Sequence, residues 1–249
     1  MTTQPLSGTT AIVTGASRGF GRAVATALAG AGAKVVGVAR DQARLAGLQA
    51  ELGDRFIPEP ADAADPVVAG QLIDSWQPRL IVLAAGAAPL SRPVQQHSWQ
   101  SFSQNWEVDV QQAFHWTRES LLRPLPAGST VLTFSSGAAI QGSPLSGGYA
   151  GAKATIRFIA SYAAAESARN ALGIRFLSIL PQLTPETALG AAAVAAYAAR
   201  EGMDVASFLA TRGPALTPEL AGQAVLSLAV DPDRTGAYLL TAAGLSEVR

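Results

Sequence analysis

Cysteine is absent from these 249 residues, which removes disulfides, thiolate metal sites and a thiol nucleophile together. Histidine is nearly as scarce. His97 and His115 stand apart, too few and too isolated to build a metal site, so no metal is expected. Charged residues make up only 14% of the chain and balance to a formal net of zero, with no basic stripe. Nothing in that pattern attracts nucleic acid or an acidic membrane surface. Long apolar runs are missing too. The most apolar stretch, residues 188–199, is alanine-rich and too short to span a bilayer. Residues 1–8 carry neither a basic nor an apolar leader region. The expectation is a soluble, cytoplasmic protein with no membrane and no nucleic-acid partner.

What is present is a dense apolar alternation. Hydrophobic residues make up 49% of the chain, with Ala and Gly abundant, which suits a packed globule and argues against disorder. Apolar, β-branched runs fall at 9–14, 34–39, 56–57, 80–83, 130–134, 174–180 and 237–240. Between them lie helical patterns at 19–32, from Asp41 onward, and at 66–76, 99–122, 149–170, 187–211 and 218–230. Fully apolar strands alternating with helices indicate an α/β fold, a parallel sheet covered on both faces. No linker, repeat or charge block marks a second domain, so a single domain is expected. Segment 182–217 alone is not demanded by the alternation. It follows the carboxyl end of a strand, where open α/β sheets bind ligands, and reads either as a substrate lid or as a fixed helical pair.

The turn from Thr14 to Gly21 follows the first strand directly and opens the first helix. Within it Gly15 permits a tight turn, Gly19 lets backbone approach a pyrophosphate, and Gly21 allows close helix–strand packing. Ser17, Arg18 and Phe20 complete the loop, and the helix start offers N–H groups to phosphates. The turn therefore reads as a dinucleotide site. An NAD site needs an acid just past the second strand, but here that strand leaves through Arg40. Arg40, with Arg18 near the same end, suits a 2′-phosphate, so NADP(H) is expected over NAD(H). Asp41, the rival acid, reads better as the N-cap of the next helix.

Tyr149 and Lys153 stand four residues apart, on one face of the helix expected there. A neighbouring ammonium favours the phenolate, lowering a tyrosine pKa from about 10 toward working pH. A tyrosine so placed serves as general acid to a carbonyl or general base to an alcohol. A surface pair at helical spacing is the bland alternative, but the chain has only two lysines, Lys34 and Lys153, and four tyrosines. Upstream, Ser135 and Ser136 close a strand at the end where reacting groups gather in this architecture.

Taken together, the Thr14–Gly21 turn, Ser136, Tyr149 and Lys153 resemble the short-chain dehydrogenase/reductase family, as a divergent member. The resemblance runs from about Gly8 to Pro181 and weakens toward the end. It implies a Rossmann-type, doubly wound sheet of seven parallel strands in the order 3-2-1-4-5-6-7, and a homo-oligomer, usually a tetramer. It also implies that Tyr149 is the acid/base, that Ser136 orients the substrate oxygen, and that Lys153 acts on Tyr149 and on the nicotinamide ribose. Asp62 with Ala63 matches the adenine contact. The backbone of Ala85 and Gly86 would line the cofactor. Pro181 and Thr184, or else Thr187, would meet the nicotinamide. Leu90, Ala138, Gln141, Gln182 and Leu183 fall at substrate-pocket positions.

The departures from the family pattern are specific. Leu83 replaces an asparagine in the usual Asn-Asn-Ala-Gly or Asn-Ala-Ala-Gly, so packing is expected to take over from its amide bonds. Asp109 replaces the catalytic-helix asparagine. It stays in the catalytic set through its main-chain carbonyl, and if buried near Lys153 it would keep that lysine protonated. Gln182 replaces the glycine after Pro181, so a different loop path is expected. The resemblance thus implies reversible NADPH-dependent reduction of a small carbonyl substrate, ketone or aldehyde. The alternatives are a non-catalytic NADP(H)-sensing protein on the same fold, or an imine reductase or epimerase.

Overall fold

Strand and helix alternate through nearly the whole chain. The structure, a computed structural model, describes residues 4–248, so residues 1–3 of the opening segment and residue 249 lie outside the described residues. The first half runs β1 (Thr10–Thr14), α1 (Gly19–Gly30), β2 (Lys34–Ala39), α2 (Gln42–Leu52), β3 (Phe56–Pro60), α3 (Pro66–Trp76), β4 (Leu80–Leu83), α4 (Trp99–Asn105) and α5 (Gln111–Leu122). The second runs β5 (Thr130–Phe134), α6 (Ala138–Gln141), α7 (Tyr149–Arg169), β6 (Arg175–Pro181), α8 (Ala188–Arg200), α9 (Val205–Ala210), α10 (Pro218–Val230), β7 (Gly236–Thr241) and β8 (Gly244–Val248).

Successive side chains along each central strand enter opposite cores. Ala11 and Val13 of β1 go one way and Ile12 the other; in β4, Leu80 and Val82 oppose Ile81 and Leu83. Helices α1, α2 and α10 close the first core, and α3, α5 and α7 close the second. This period of two, apolar on both faces, is what a buried parallel sheet requires. The strand order is β3-β2-β1-β4-β5-β6-β7-β8. The first seven strands pair in parallel. The Rossmann-type order implied by the resemblance is therefore present. It reverses between β1 and β4, opening the crevice where such sheets bind ligands.

Four local expectations need correcting. An eighth strand follows the expected seven: Thr241 pairs with Gly244 across Ala242-Ala243, and β8 returns antiparallel on β7. Gly244 has φ 114, the left-handed backbone that this tight reversal requires. The long helix over 99–122 is interrupted by a π-type turn at Trp106–Val110. The inserted residue shifts the helical register, and Asp109 turns inward, to 1% exposure. The helix over 187–211 is two helices, because Gly202 at φ 68 stops the first and Asp204 caps the second on Ser207 N–H. A short α6 follows Ser136, where no helix was anticipated. Among the described residues no helix is long and apolar enough to cross a membrane.

Candidate active site

The glycine turn behaves as its residues require. Gly15 has φ 70, and a Cβ there would fall 2.7 Å from Ala85 N, inside the crevice between β1 and β4. A Cβ on Gly21 would fall 2.2 Å from the Gly15 carbonyl, so the helix start seats directly on the turn. Gly19 has φ 54, and its Cβ side faces only Thr187, at 3.7 Å. Arg18, at the N-cap, makes no side-chain cap bond, leaving the first-turn amides of α1 open to an anion. Ser17 is half-buried, and Phe20 stacks on Phe134 at 5.9 Å. The turn is a cradle that side chains would fill, and it fits a dinucleotide.

The exit of β2 separates its charges. Asp41 caps α2 through Arg44 N–H and pairs with the Arg44 side chain at 3.1 Å, which agrees with its reading as an N-cap. Arg40 and Arg18 are exposed, and neither forms an ion pair among the described residues. Asp62 is exposed and accepts the Ala64 N–H at 3.0 Å, while the Ala63 carbonyl accepts Trp116 Nε1–H at 3.0 Å. These bonds shape the turn after β3.

A hub that sequence reasoning missed joins β1, β4 and α5. Thr14 Oγ1 accepts the N–H groups of Ala84 (3.0 Å) and Ala85 (3.2 Å) and donates to Gln112 Oε1 at 2.7 Å. The Gln112 amide in turn donates to the Ala85 carbonyl. Leu83 is packed into the second core, as expected. Packing alone, however, does not fix the backbone beyond it; that falls to Thr14 and Gln112. The legible signal was a polar face on one helix, Asn105, Asp109 and Gln112, at spacings of four and three.

Lys153 reaches the end of β5, two residues before Ser136. The Ser135 hydroxyl donates to the Lys153 carbonyl at 2.7 Å, pinning α7 to the strand. Lys153 Nζ donates to the Phe134 carbonyl at 3.0 Å and pairs with Asp109 Oδ2 at 3.1 Å. It also lies 5.6 Å from the centroid of the half-buried Tyr149 ring. Burial pulls the Lys153 ammonium toward neutrality, but the charge of Asp109, then Tyr149, then the Asp109 hydrogen bond together hold it above the ordinary lysine value. Ser136 is half-buried, and its Oγ accepts the Ala138 N–H at 3.2 Å, which leaves its own proton free to donate. Gly147 and Gly148, just before Tyr149, have no room for a side chain: a Cβ on Gly148 would fall 2.2 Å from the Phe102 carbonyl, and one on Gly147 2.8 Å from the His97 ring.

The segment after β6 leaves the sheet in ordered steps. Gln182 N–H bonds the Leu240 carbonyl at 2.9 Å, and its side-chain amide reaches the Pro214 carbonyl at 3.3 Å. Thr184 is buried, and its hydroxyl donates to the Leu216 carbonyl at 2.6 Å, so it closes the base of the segment. Thr187, which caps α8, is the threonine beside the glycine turn. Val194, Ala198 and Phe208 give α8 and α9 a small core of their own, and Tyr197 bonds Ser143 across to the loop before Tyr149. Leu90, Gln141 and Leu183 are exposed and Ala138 half-buried, on the segments that follow β4, β5 and β6. Among the described residues no three metal-ligating side chains come together.

An open α/β crevice with a glycine cradle on one side and a Tyr–Lys pair on the other defines a nucleotide-dependent class of protein. The model of the short chain dehydrogenase family matches residues 9–206. A probable NADP-dependent dehydrogenase of Haemophilus influenzae is 36% identical over 107 residues, 41% of this chain and 42% of that protein. A short chain dehydrogenase of Pseudocercospora fijiensis is 35% identical over 164 residues, 61% of this chain and 52% of that protein. The chain thus spans about half the length of these curated relatives. In structure it is similar to a 3-ketoacyl-(acyl-carrier-protein) reductase from Brucella melitensis complexed with NADH, with a TM-score of 0.77. That likeness covers 93% of this chain and 96% of the other at 23% identity, and shows the fold. The chain belongs to the short chain dehydrogenase family, a family of oxidoreductases.

The Thr14 hub generates a direct prediction. Thr14→Val keeps the shape but strands the Ala84 and Ala85 N–H groups and one end of Gln112. Unfolding stability in urea is expected to fall by about 2–4 kcal/mol, since each stranded donor costs about 1–3 kcal/mol. An unchanged midpoint and slope would show that the hub does not hold the β4 exit.

Proposed function

We propose that this protein is an NADP(H)-dependent carbonyl reductase, running reversibly between a small ketone or aldehyde and its alcohol, with Tyr149 as the general acid/base. The observation that carries the reading is the position of Lys153. Its ammonium is held at the end of β5, two residues before Ser136, and lies 5.6 Å from the centroid of the Tyr149 ring. It donates to the Phe134 carbonyl and faces the Asp109 charge, which leaves donor capacity for a cofactor hydroxyl.

Gly15, Ser17, Gly19, Phe20 and Gly21 would hold the pyrophosphate side of the cofactor, Arg18 and Arg40 its 2′-phosphate, and Asp62 with Ala63 its adenine. Ala85, Gly86, Lys153, Pro181 and Thr187 would flank the nicotinamide half. When bound, NADPH supplies the hydride for the carbonyl carbon. Ser136 donates a hydrogen bond to the carbonyl oxygen, which fixes its direction and draws charge onto it. Tyr149 gives its hydroxyl proton to that oxygen as the alcohol forms, and takes it back in the reverse direction. Leu90, Ile140, Leu183 and Leu189 stand exposed on the segments after β4, β5 and β6, which favours a neutral, apolar substrate.

Partners beyond the substrate follow from a second surface. Phe114 and Leu122 on α5, with Phe158 stacked on Tyr162 on α7, are exposed apolar groups on the two helices that cover one core face. A homo-oligomer through these helices is the reading they favour. Sedimentation equilibrium should give a multiple of the chain mass that Phe158→Glu with Tyr162→Glu reduces; a wild-type monomer excludes it.

Two measurements test the central reading. In NADPH oxidation over a panel of neutral ketones and aldehydes, Tyr149→Phe should lose about 10²–10⁴-fold in kcat while still binding cofactor. Unaffected turnover would remove Tyr149 from the chemistry. An absence of any net oxidation would favour the sensor or epimerase alternatives, and turnover on imines alone the imine reductase. In calorimetry, NADPH should bind more tightly than NADH, and Arg40→Ala with Arg18→Ala should abolish most of that preference, a loss of about tenfold or more. Tighter NADH binding by the wild type contradicts the assignment of the two arginines.

A further inference from the structure

Among the described residues only two charged side chains are buried, Asp109 at 1% exposure and Lys153 at 6%. A buried ion pair is a weak source of stability, because desolvation of both charges offsets their attraction. Its presence here therefore points to something other than holding the fold together.

The surroundings of Asp109 are divided between two tasks. Oδ1 accepts the Ala87 N–H at 2.8 Å, with the Asn105 amide at 3.4 Å. Asn105 also donates to the Ala87 carbonyl at 2.7 Å, so both polar ends of residue 87 are held by one helical turn. Oδ2 faces Lys153 at 3.1 Å and lies behind Gly86, where a Cβ would fall 2.9 Å from it. The π-type turn at Trp106–Val110 brings the carboxylate inward. One side chain thus bridges the β4 exit and the α7 lysine, the two walls of the crevice.

We propose that Asp109 is a positioning residue whose side-chain carboxylate, with Asn105, locks the Gly86–Ala87 backbone and serves as the fixed counter-charge of Lys153. The inference rests on the reading of Tyr149 and Lys153 as the acid–base pair. It assigns the role to the carboxylate, not to the main-chain carbonyl that the family resemblance emphasises.

The direction of its effect follows from what faces the ammonium. Those groups are Asp109 from the π-type turn, Tyr149 on α7 itself, and the Phe134 carbonyl on β5. Burial is the largest influence on Lys153 and favours the neutral amine; Asp109 is the largest that opposes it. With Asp109 neutralised, burial is opposed only by Tyr149 and the Phe134 carbonyl, and Lys153 gives up its proton at lower pH. In the wild type the folded-state value is raised, so the pair's stabilisation is complete below the ordinary lysine value, about 10.4, and is lost as pH rises through the folded-state value. The thermal advantage of wild type over Asp109→Asn is therefore greatest near neutrality and shrinks toward and beyond about pH 10.

The test combines a cofactor-free cycle with a pH profile. At pH 7 and without cofactor, Lys153→Met alone strands a buried carboxylate and should lower Tm by at least about 6 °C. Adding Asp109→Asn to that variant should restore most of the loss; simply additive losses overturn the pairing. In steady-state kinetics, Asp109→Asn should lose kcat/KM on the alkaline side about one pH unit or more earlier than wild type. Asn105→Ala removes the amide's bonds to Ala87 and to Asp109 Oδ1 but leaves the counter-charge in place, so it should raise the cofactor KM severalfold while keeping the wild-type alkaline limb. An active Asp109→Asn with the wild-type limb overturns the inference and leaves the reductase reading intact. A wild type inactive on every carbonyl overturns that reading, while the Tm cycle still judges the pair. If Asp109→Asn alone does not fold, recovery of the fold in the double variant supports the charge pair, and equal failure of both contradicts it.

Discussion

An ammonium taken out of water keeps its proton only if an opposite charge or a set of strong acceptors comes with it. Lys153 meets that requirement with Asp109 Oδ2 and the Phe134 carbonyl, and the elements around the crevice are tied to that arrangement. The end of β5 contributes the carbonyl, α7 contributes the lysine, and the π-type turn contributes the acid. The same acid holds Ala87 and so fixes the loop beyond β4. One carboxylate therefore links the loop beyond β4 to the lysine of α7.

The opposite side of the crevice depends on neutral hydrogen bonds. Thr14 ends β1 and holds the first two residues after β4, with Gln112 reaching in from α5. Gly15 and Gly21 then let the first helix seat where a side chain would collide with backbone. Charge enters only at the rim, where Arg18 and Arg40 are exposed and Asp41 is occupied by Arg44. The site is thus polar on one wall, ionic on the other and apolar at its mouth.

Much of this was legible in the sequence wherever the physics is local. The fully apolar, β-branched runs alternating with helical patterns gave the sheet, the glycine turn gave the cradle, and the four-residue step from Tyr149 to Lys153 put both side chains on one helical face. Asp41 read correctly as a cap for the same reason, since its partner Arg44 is three residues away. The contacts that were not legible join distant segments. Thr14 and Gln112 lie 98 residues apart, and no local pattern links them. The place of Asp109 stayed open because an uninterrupted helix and a π-type turn aim the same residue in different directions. Alanine-rich periodicity ran past Gly202 and hid the break between α8 and α9, and the small-residue reversal at Ala242-Ala243 hid β8.

The most direct measurement is the fate of deuterium from NADPH labelled at both C4 positions, incubated with a neutral ketone and the wild-type protein. The account predicts an alcohol carrying one deuterium at its carbinol carbon, formed in step with oxidation of the cofactor. Turnover without deuterium in the product, or product without cofactor oxidation, would contradict hydride transfer as the function of this site.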